Sequence, residues 1–262
     1  MAKKPTTTVK RKTPADPRAG RVKALQRRIR EWDVDALLIV NPNDIRYLTG
    51  FVGDDSWALV RARGRQVWII SDFRFDEQIQ REAPHARSVM RKKGLAEATA
   101  KLMRKFNAET LAIPGAYVTL DVRQKLVREL SASNLKTVDD GLIEQRAVKD
   151  PDEIKMIRKA LRIQQKAFRE LCSETAVGLR EGQVVTERSM AAMLEYLMRK
   201  LGADGPSFPT IVAEGPNAAL PHAIPSSRKI RNGSAILIDW GARFEGYCSD
   251  LTRVIALGKM PA

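Results

Sequence analysis

Two aspartates stand at positions of the sequence where strand-core residues are expected. The stretch AILIDWGARFEGYCSDLTRVIALG, residues 235–258, reads as two apolar β-strands joined by a polar turn. Asp239 lies in the first strand and Asp250 in the second. With the turn centred on Phe244 and Glu245, Asp239 falls directly opposite Asp250 on one face of the hairpin. Like charges so placed are destabilising, and desolvating a carboxylate among apolar neighbours costs more still. A shared proton, a basic partner or a cation between them would relieve the conflict. Arg253 is three positions from Asp250 and points to the other face of a regular strand, and no lysine precedes Lys259 in either strand. A bridging cation is the strongest remaining reading, since facing carboxylates could hold one or two metal ions through oxygen. The competing reading places one aspartate at a strand end, where it caps a turn.

The elements that would position this hairpin follow from pattern. Asp150 has the character of a helix N-cap, Pro151 suits the first helical position, and Glu153 completes a capping box. Ile154, Ile157, Leu161, Phe168 and Leu171 keep helical spacing, which predicts one long helix to about Glu174, broken by VGLREGQ. VTERSMAAMLEYLMRKLG predicts a second helix ended by Gly202. FPTIVAEG, AILIDWGA and CSDLTRVIAL then read as strands, so this half is α+β, with helices followed by antiparallel strands.

Upstream the pattern differs. Val22, Leu25, Ile29 and Trp32 share one side of a helix over 21–32, DALLIV is a buried strand closed by a turn at NPND, and SWALVRA and QVWIIS flank RGR as a hairpin. LAEATAKLMRKF (helix), TLAIPG (strand) and LDVRQKLVREL (helix) follow. Alternating strands and helices predict an α/β domain with a mixed, partly parallel sheet and flanking helices, without a nucleotide-binding glycine fingerprint. The expected organisation is a basic disordered tail over 1–20, an N-terminal domain over 21–145 and a second domain over 150–262.

The formal net charge of +15 raises nucleic acid as a partner. The segment from Lys3 to Arg21 alone supplies a net +6 of it, and the remainder is spread over amphipathic helix faces. No aromatic residues interleave with the basic ones to make a stacking surface, so nucleic acid is not the expected partner. No run of about 18 or more apolar residues predicts a membrane span, and the basic start has no apolar signal core. With two cysteines at no metal-type spacing, the expected compartment is a reducing cytoplasm.

Residue identities then narrow the reading. GPNAALPHAIPSSRKIRNGSAILIDWGARFEGYCSDLTR resembles the pita-bread metallopeptidases of the creatinase, Xaa-Pro aminopeptidase and prolidase group. DALLIVNPNDIRYLTGFVG and IISDFRFDEQ look like the small N-terminal domain of creatinase and the Xaa-Pro aminopeptidases, and EQRAVKDPDEIKMIRKA looks like the hinge and first helix of the peptidase domain. The resemblance implies a creatinase-like α/β domain followed by the first part of an α+β pita-bread catalytic domain. Asp239 matches the family's first metal aspartate, Asp250 the aspartate that bridges two metals, and His222, in LPHA, the histidine that positions substrate or stabilises the transition state. Thr252, on the face of Asp250, is proposed as a hydrogen-bond donor behind the metal ligands. Phe208 could line the substrate pocket or belong to the core, and its type does not decide which. His85, the other histidine, is expected at the surface of the N-terminal domain.

The implied activity is hydrolysis of the bond before proline, by an Xaa-Pro aminopeptidase or dipeptidase acting on peptides with proline in second position. Two divalent ions are implied as cofactors. Oxygen ligation suits manganese, and the family also uses cobalt or zinc. A homodimer is expected, because such N-terminal domains often supply dimer contacts. The sequence departs from the family in one respect: the family's later histidine and two glutamates, which complete the metal cage, have no counterpart after Asp250. The expectation is therefore a chain cut within its catalytic domain and inactive as it stands. The alternative is a non-catalytic pita-bread binding or regulatory protein, which the retained Asp239, Asp250 and His222 disfavour.

Overall fold

Asp16 opens the described part of the chain by capping a helix, and its carboxylate accepts the Arg18 backbone N–H at 3.0 Å. The computed structural model describes residues 16–256 other than 140 and 232, and the chain divides at Val148/Lys149 into two units. The first unit runs α1 (Pro17–Glu31), β1 (Ala36–Ile39), α2 (Pro42–Thr49), β2 (Trp57–Arg61), β3 (Val67–Ser71), α3 (Asp76–Glu82), β4 (Arg87–Met90), α4 (Leu95–Lys105), β5 (Leu111–Pro114), α5 (Leu120–Glu129), β6 (Leu135–Val138) and α6 (Ile143–Ala147). Its sheet has the order β4-β3-β2-β1-β5-β6. The β1–β2 and β2–β3 pairs are antiparallel, and β1–β5, β5–β6 and β3–β4 are parallel.

Both faces of this sheet are covered, which is why ALLI in β1 is buried at all four positions rather than alternating. Leu37 and Ile39 pack with Val22, Leu25 and Ile29 of α1 and with Ile45 and Leu48 of α2. Ala36 and Leu38 pack on the other side with Leu102 and Met103 of α4 and Leu126 of α5.

Two expectations are corrected here. The turn at NPND is instead the start of α2, in which Asn41 accepts the Asn43 N–H and Pro42 occupies the first turn. Of the tail expected over 1–20, residues 1–15 lie outside the described residues, but α1 already begins at Pro17. Arg18 donates to the Thr49 carbonyl at 2.9 Å, so this first turn is tied to the end of α2. Deletion through Gly20 should therefore cost about 1 kcal/mol relative to a chain starting at Asp16, a drop of roughly 3 °C in the melting temperature. Identical melting curves for the two deletions would show that this turn contributes nothing.

The second unit contains α7 (Pro151–Arg180), α8 (Glu187–Lys200), β7 (Gly205–Pro206), β8 (Ile211–Glu214), β9 (Ala235–Trp240), β10 (Ala242–Phe244), β11 (Tyr247–Cys248) and β12 (Leu251–Ala256). The capping box at Asp150 and Glu153 forms, and Glu153 also accepts the Tyr247 hydroxyl at 3.2 Å. The helix does not end near Glu174 but runs to Arg180, through Gly178. Its stop lies at Gly182 (φ 78°), where Gln183 N–H reaches back to the Gly178 carbonyl at 2.9 Å and Gly182 N–H to that of Leu179. Helix α8 ends the same way at Gly202 (φ 97°).

The strands form two three-stranded sheets, β12-β9-β8 and β11-β10-β7. Ile236, Ile238 and Trp240 of β9 face Leu171 of α7 and Leu194, Leu197 and Met198 of α8. The Trp240 ring stacks on Phe168 at 4.5 Å between centroids. Strand β12 ends at Ala256 among the described residues, and the expected continuation to Leu257 lies outside them.

Candidate functional site

Because Ile236, Ile238 and Trp240 are buried against the helices, the intervening Asp239 must emerge on the other face of β9. It sits half-buried in the central strand, between Ile211 of β8 and Thr252 of β12. The Thr252 hydroxyl donates to Asp239 Oδ1 at 2.9 Å. Thr252 itself is exposed.

The register differs from expectation. Asp239 pairs with Thr252, not with Asp250, and Phe244 pairs with Tyr247. The turn is therefore Glu245-Gly246, with φ of 46° and 75°, the pair of left-handed residues that a tight two-residue hairpin favours. A slip of two leaves every side chain on its own face. Asp250, expected within the second strand, lies just outside it, between Cys248 of β11 and Leu251 of β12 and two residues before Thr252, and it is exposed. Arg253 does not neutralise the pair: it pairs with Ile238 on the other face, and its guanidinium donates to the Thr252 carbonyl at 2.7 Å. Among the described residues no cation pairs with Asp239 or Asp250.

The hairpin turns a corner just before Asp250. Between β9 and β10 the chain passes from one sheet to the other at Gly241. A Cβ at that position would lie 2.0 Å from the Ser249 carbonyl oxygen and 2.6 Å from Ser207 Oγ. Ser207 clamps both strands: its N–H donates to the Gly241 carbonyl at 2.9 Å and its hydroxyl to the Ser249 carbonyl at 2.8 Å. Neither Gly241 nor Ser207 was singled out from sequence; the Asp-Trp-Gly run was the only trace of the corner.

His222 is exposed, in the segment linking β8 to β9, and Phe208 is half-buried between β7 and β8. The structure gives neither a hydrogen bond nor a ring contact to the aspartates. His85 is exposed in the first unit, with Nδ1 3.9 Å from Asp16. Both cysteines, Cys172 and Cys248, are free.

The largest buried polar cluster near the segment of His222 was not anticipated. Glu187, in the first turn of α8, is fully buried. Burial pushes its carboxyl up, but hydrogen bonds from Glu214 and Ser226 outweigh this and hold it below the ordinary carboxylate range. Glu214 is also buried and is held low by the Arg228 guanidinium beside it.

Residues 155–262 match the model of metallopeptidase family M24, and residues 21–148 match that of the creatinase/prolidase N-terminal domain. The chain belongs to the M24 metallopeptidases. An uncharacterized peptidase of Bacillus subtilis, YqhT, is 31% identical over 226 residues, which are 86% of this chain and 62% of that protein. The Xaa-Pro dipeptidase of Pyrococcus furiosus is 37% identical over 152 residues, 58% of this chain and 42% of that enzyme. The X-Pro aminopeptidase of Thermotoga maritima superposes with a TM-score of 0.79 at 32% identity, over 89% of this chain and 66% of that structure. The chain thus spans less than two thirds of the length of these relatives. Its architecture is the creatinase-type α/β domain followed by helices and strands of the pita-bread fold. No described helix is long and apolar enough to cross a membrane.

The donor chemistry suits the metals of a metallopeptidase. The Asp239 carboxylate, held by the Thr252 hydroxyl, and that of Asp250, two residues before Thr252, have no described cationic partner, and oxygen donors of this kind fit a hard divalent ion. They fit as part of a donor set, because among the described residues no third histidine, cysteine, aspartate or glutamate joins them.

Proposed function

We propose that the protein is a metal-dependent, proline-directed peptidase, an Xaa-Pro dipeptidase or aminopeptidase that hydrolyses the bond before proline. The observation that carries this reading is Asp239 emerging from the central strand away from the helices, with the Thr252 hydroxyl on its Oδ1, Asp250 two residues before that threonine, and no described cation on either carboxylate. The Xaa-Pro specificity named for the Pyrococcus and Thermotoga relatives supports the substrate class.

In this reading Asp239 and Asp250 hold two divalent ions, manganese by their oxygen chemistry, with cobalt or zinc as substitutes. Such ions, when bound, acidify a water molecule and polarise a carbonyl. Thr252 keeps Asp239 Oδ1 turned toward the outer face. His222 meets the substrate from its exposed segment, and Phe208 lines the proline pocket. We place the enzyme in the cytoplasm, where Cys172 and Cys248 stay reduced, and as a homodimer. For the 262 residues alone we propose weak divalent binding and no turnover, because two carboxylates and one histidine do not make a closed cage.

The test uses a form of the protein carrying its complete donor set. After chelation and dialysis, hydrolysis of Xaa-Pro and Xaa-Ala peptides is followed on return of manganese, cobalt or zinc. The expected result is metal-restored cleavage of Xaa-Pro peptides with little cleavage of Xaa-Ala. Dipeptides against longer peptides then separate dipeptidase from aminopeptidase. A protein that binds no metal and cleaves neither series would be the non-catalytic alternative.

A further inference from the structure

The segment 215–225 carries His222 but has little of its own to hold it. Ala223 is its one buried apolar residue, while Leu220 and Ile224 are 57% and 85% exposed. Apolar packing cannot fix such a segment. Its ends converge instead on a single carboxylate. Glu187 Oε1 accepts the Glu214 backbone N–H at 2.7 Å and Asn217 Nδ2 at 3.0 Å. Oε2 accepts the Ser226 N–H at 3.0 Å, the Ser226 hydroxyl at 2.6 Å and Asn217 Nδ2 at 3.2 Å. The α8 backbone joins in, with Glu187 N–H donating to the Arg228 carbonyl and Arg188 N–H to that of Ser226, both at 3.0 Å. A second buried carboxylate, Glu214, pairs with Arg228 and braces the same two ends.

We propose that Glu187 is the positioning residue that holds the His222 segment in place beside the strand carrying Asp239. The functional half of this inference rests on the peptidase reading, since it gives His222 its role. The physical half does not. Residue 214 ends β8, which pairs directly with β9, and residue 226 begins the return toward β9. Glu187 therefore closes the loop across its mouth and ties it to the first turn of α8. Only an ionised carboxylate satisfies the cluster, because every group facing it is a donor. A neutral amide of the same shape would turn an NH2 toward N–H and O–H groups and leave them unmatched.

The test begins with Glu187→Gln in the 262-residue chain. Only two histidines are present, so labelled imidazole signals report His222 and, as an internal control in the other unit, His85. The expected result is a displaced or broadened His222 signal with His85 unmoved. Amide exchange over 214–226 should rise about tenfold or more, with the α7 core unchanged. Should Glu187→Gln fail to fold, Ser226→Ala and Asn217→Ala remove donors from the other side and should reproduce the local change in weaker form. An unmoved His222 signal with unchanged exchange over 214–226 in the folded variants would overturn the proposal.

In the active enzyme Glu187→Gln should lower kcat with little change in KM. The double variant with His222→Ala should be no worse than His222→Ala alone, since both changes remove the same contribution. Losses that multiply would refute positioning of His222. Failure of the peptidase reading itself would show as absence of wild-type turnover, while the imidazole and exchange measurements would still judge the latch.

Discussion

Exchanging Gly241 for alanine should destabilise the second unit by about 3 kcal/mol, among the largest effects open to a single methyl group. The cause is steric contact rather than backbone conformation, since Gly241 is not among the residues with positive φ. The added Cβ would meet the Ser249 carbonyl oxygen at 2.0 Å, and that atom is backbone, so it cannot swing aside as a long side chain would. Relief requires the two strands to part. Parting breaks the Ser249 N–H bond to the Ala242 carbonyl (2.9 Å) and the Ala242 N–H bond to Ser249 Oγ (3.0 Å), and it loosens the Ser207 clamp. It also shifts the neighbouring Trp240, which is fully buried against Phe168. Urea unfolding followed by tryptophan fluorescence would show a lower midpoint with little change in slope. A midpoint equal to that of the wild type would mean that the strands at this corner lie further apart than the structure places them.

The same corner shows where sequence reading reached its limit. The strands of the hairpin were legible, because Ile236, Ile238 and Trp240 alternate with less buried residues and alternation is a local signal. The register was missed by two residues. Glu245-Gly246 is an x-Gly pair of the kind that two-residue turns favour, and giving it priority over a central Phe244 would have set Asp239 against Thr252. A slip of two preserves the faces of a regular strand pair, whereas a slip of one would exchange the core and outer faces of β12.

Other misses share a physical cause. Strand β4 has no fully buried residue and α3 has only Ile79, so neither prints a period on the sequence. The stop of α7 was assigned too early because VGLREGQ was read as breaking the helix from its start, whereas only its second glycine, Gly182, does so, and Gly178 serves the approach of Gln183, whose Oε1 would lie 2.9 Å from a Cβ there. Glu187 was invisible for a different reason. A glutamate in the first turn of a helix is ordinary on dipole grounds, and its partners Glu214, Asn217 and Ser226 lie 27 to 39 residues away. Nothing local distinguishes a buried latch from a solvated helix start.

A graded series at the hairpin should separate ligands from their support. In an active enzyme of the proposed kind, Asp239→Ala and Asp250→Ala should each lower kcat/KM by roughly a thousandfold or more, since on that proposal several kcal/mol of transition-state stabilisation depends on ions held by these two carboxylates. Thr252→Val keeps the branched shape that suits β12 but loses the hydroxyl on Asp239 Oδ1, and a loss of about 10- to 100-fold is expected. Elemental analysis should follow the same order, with metal content most reduced in the aspartate variants. Stability supplies the discriminating sign. On the proposed reading, Asp239 and Asp250 without metal are neighbouring like charges, and neither has a described cation beside it, so removing one relieves repulsion. In chelator, Asp250→Ala should therefore melt no lower than the wild type. On addition of manganese the wild type should gain stability through binding to its folded form, and the variant should not. A variant that is less stable than the wild type in chelator, yet equally stabilised by metal, would assign Asp250 a structural part in the hairpin and remove it from the metal site.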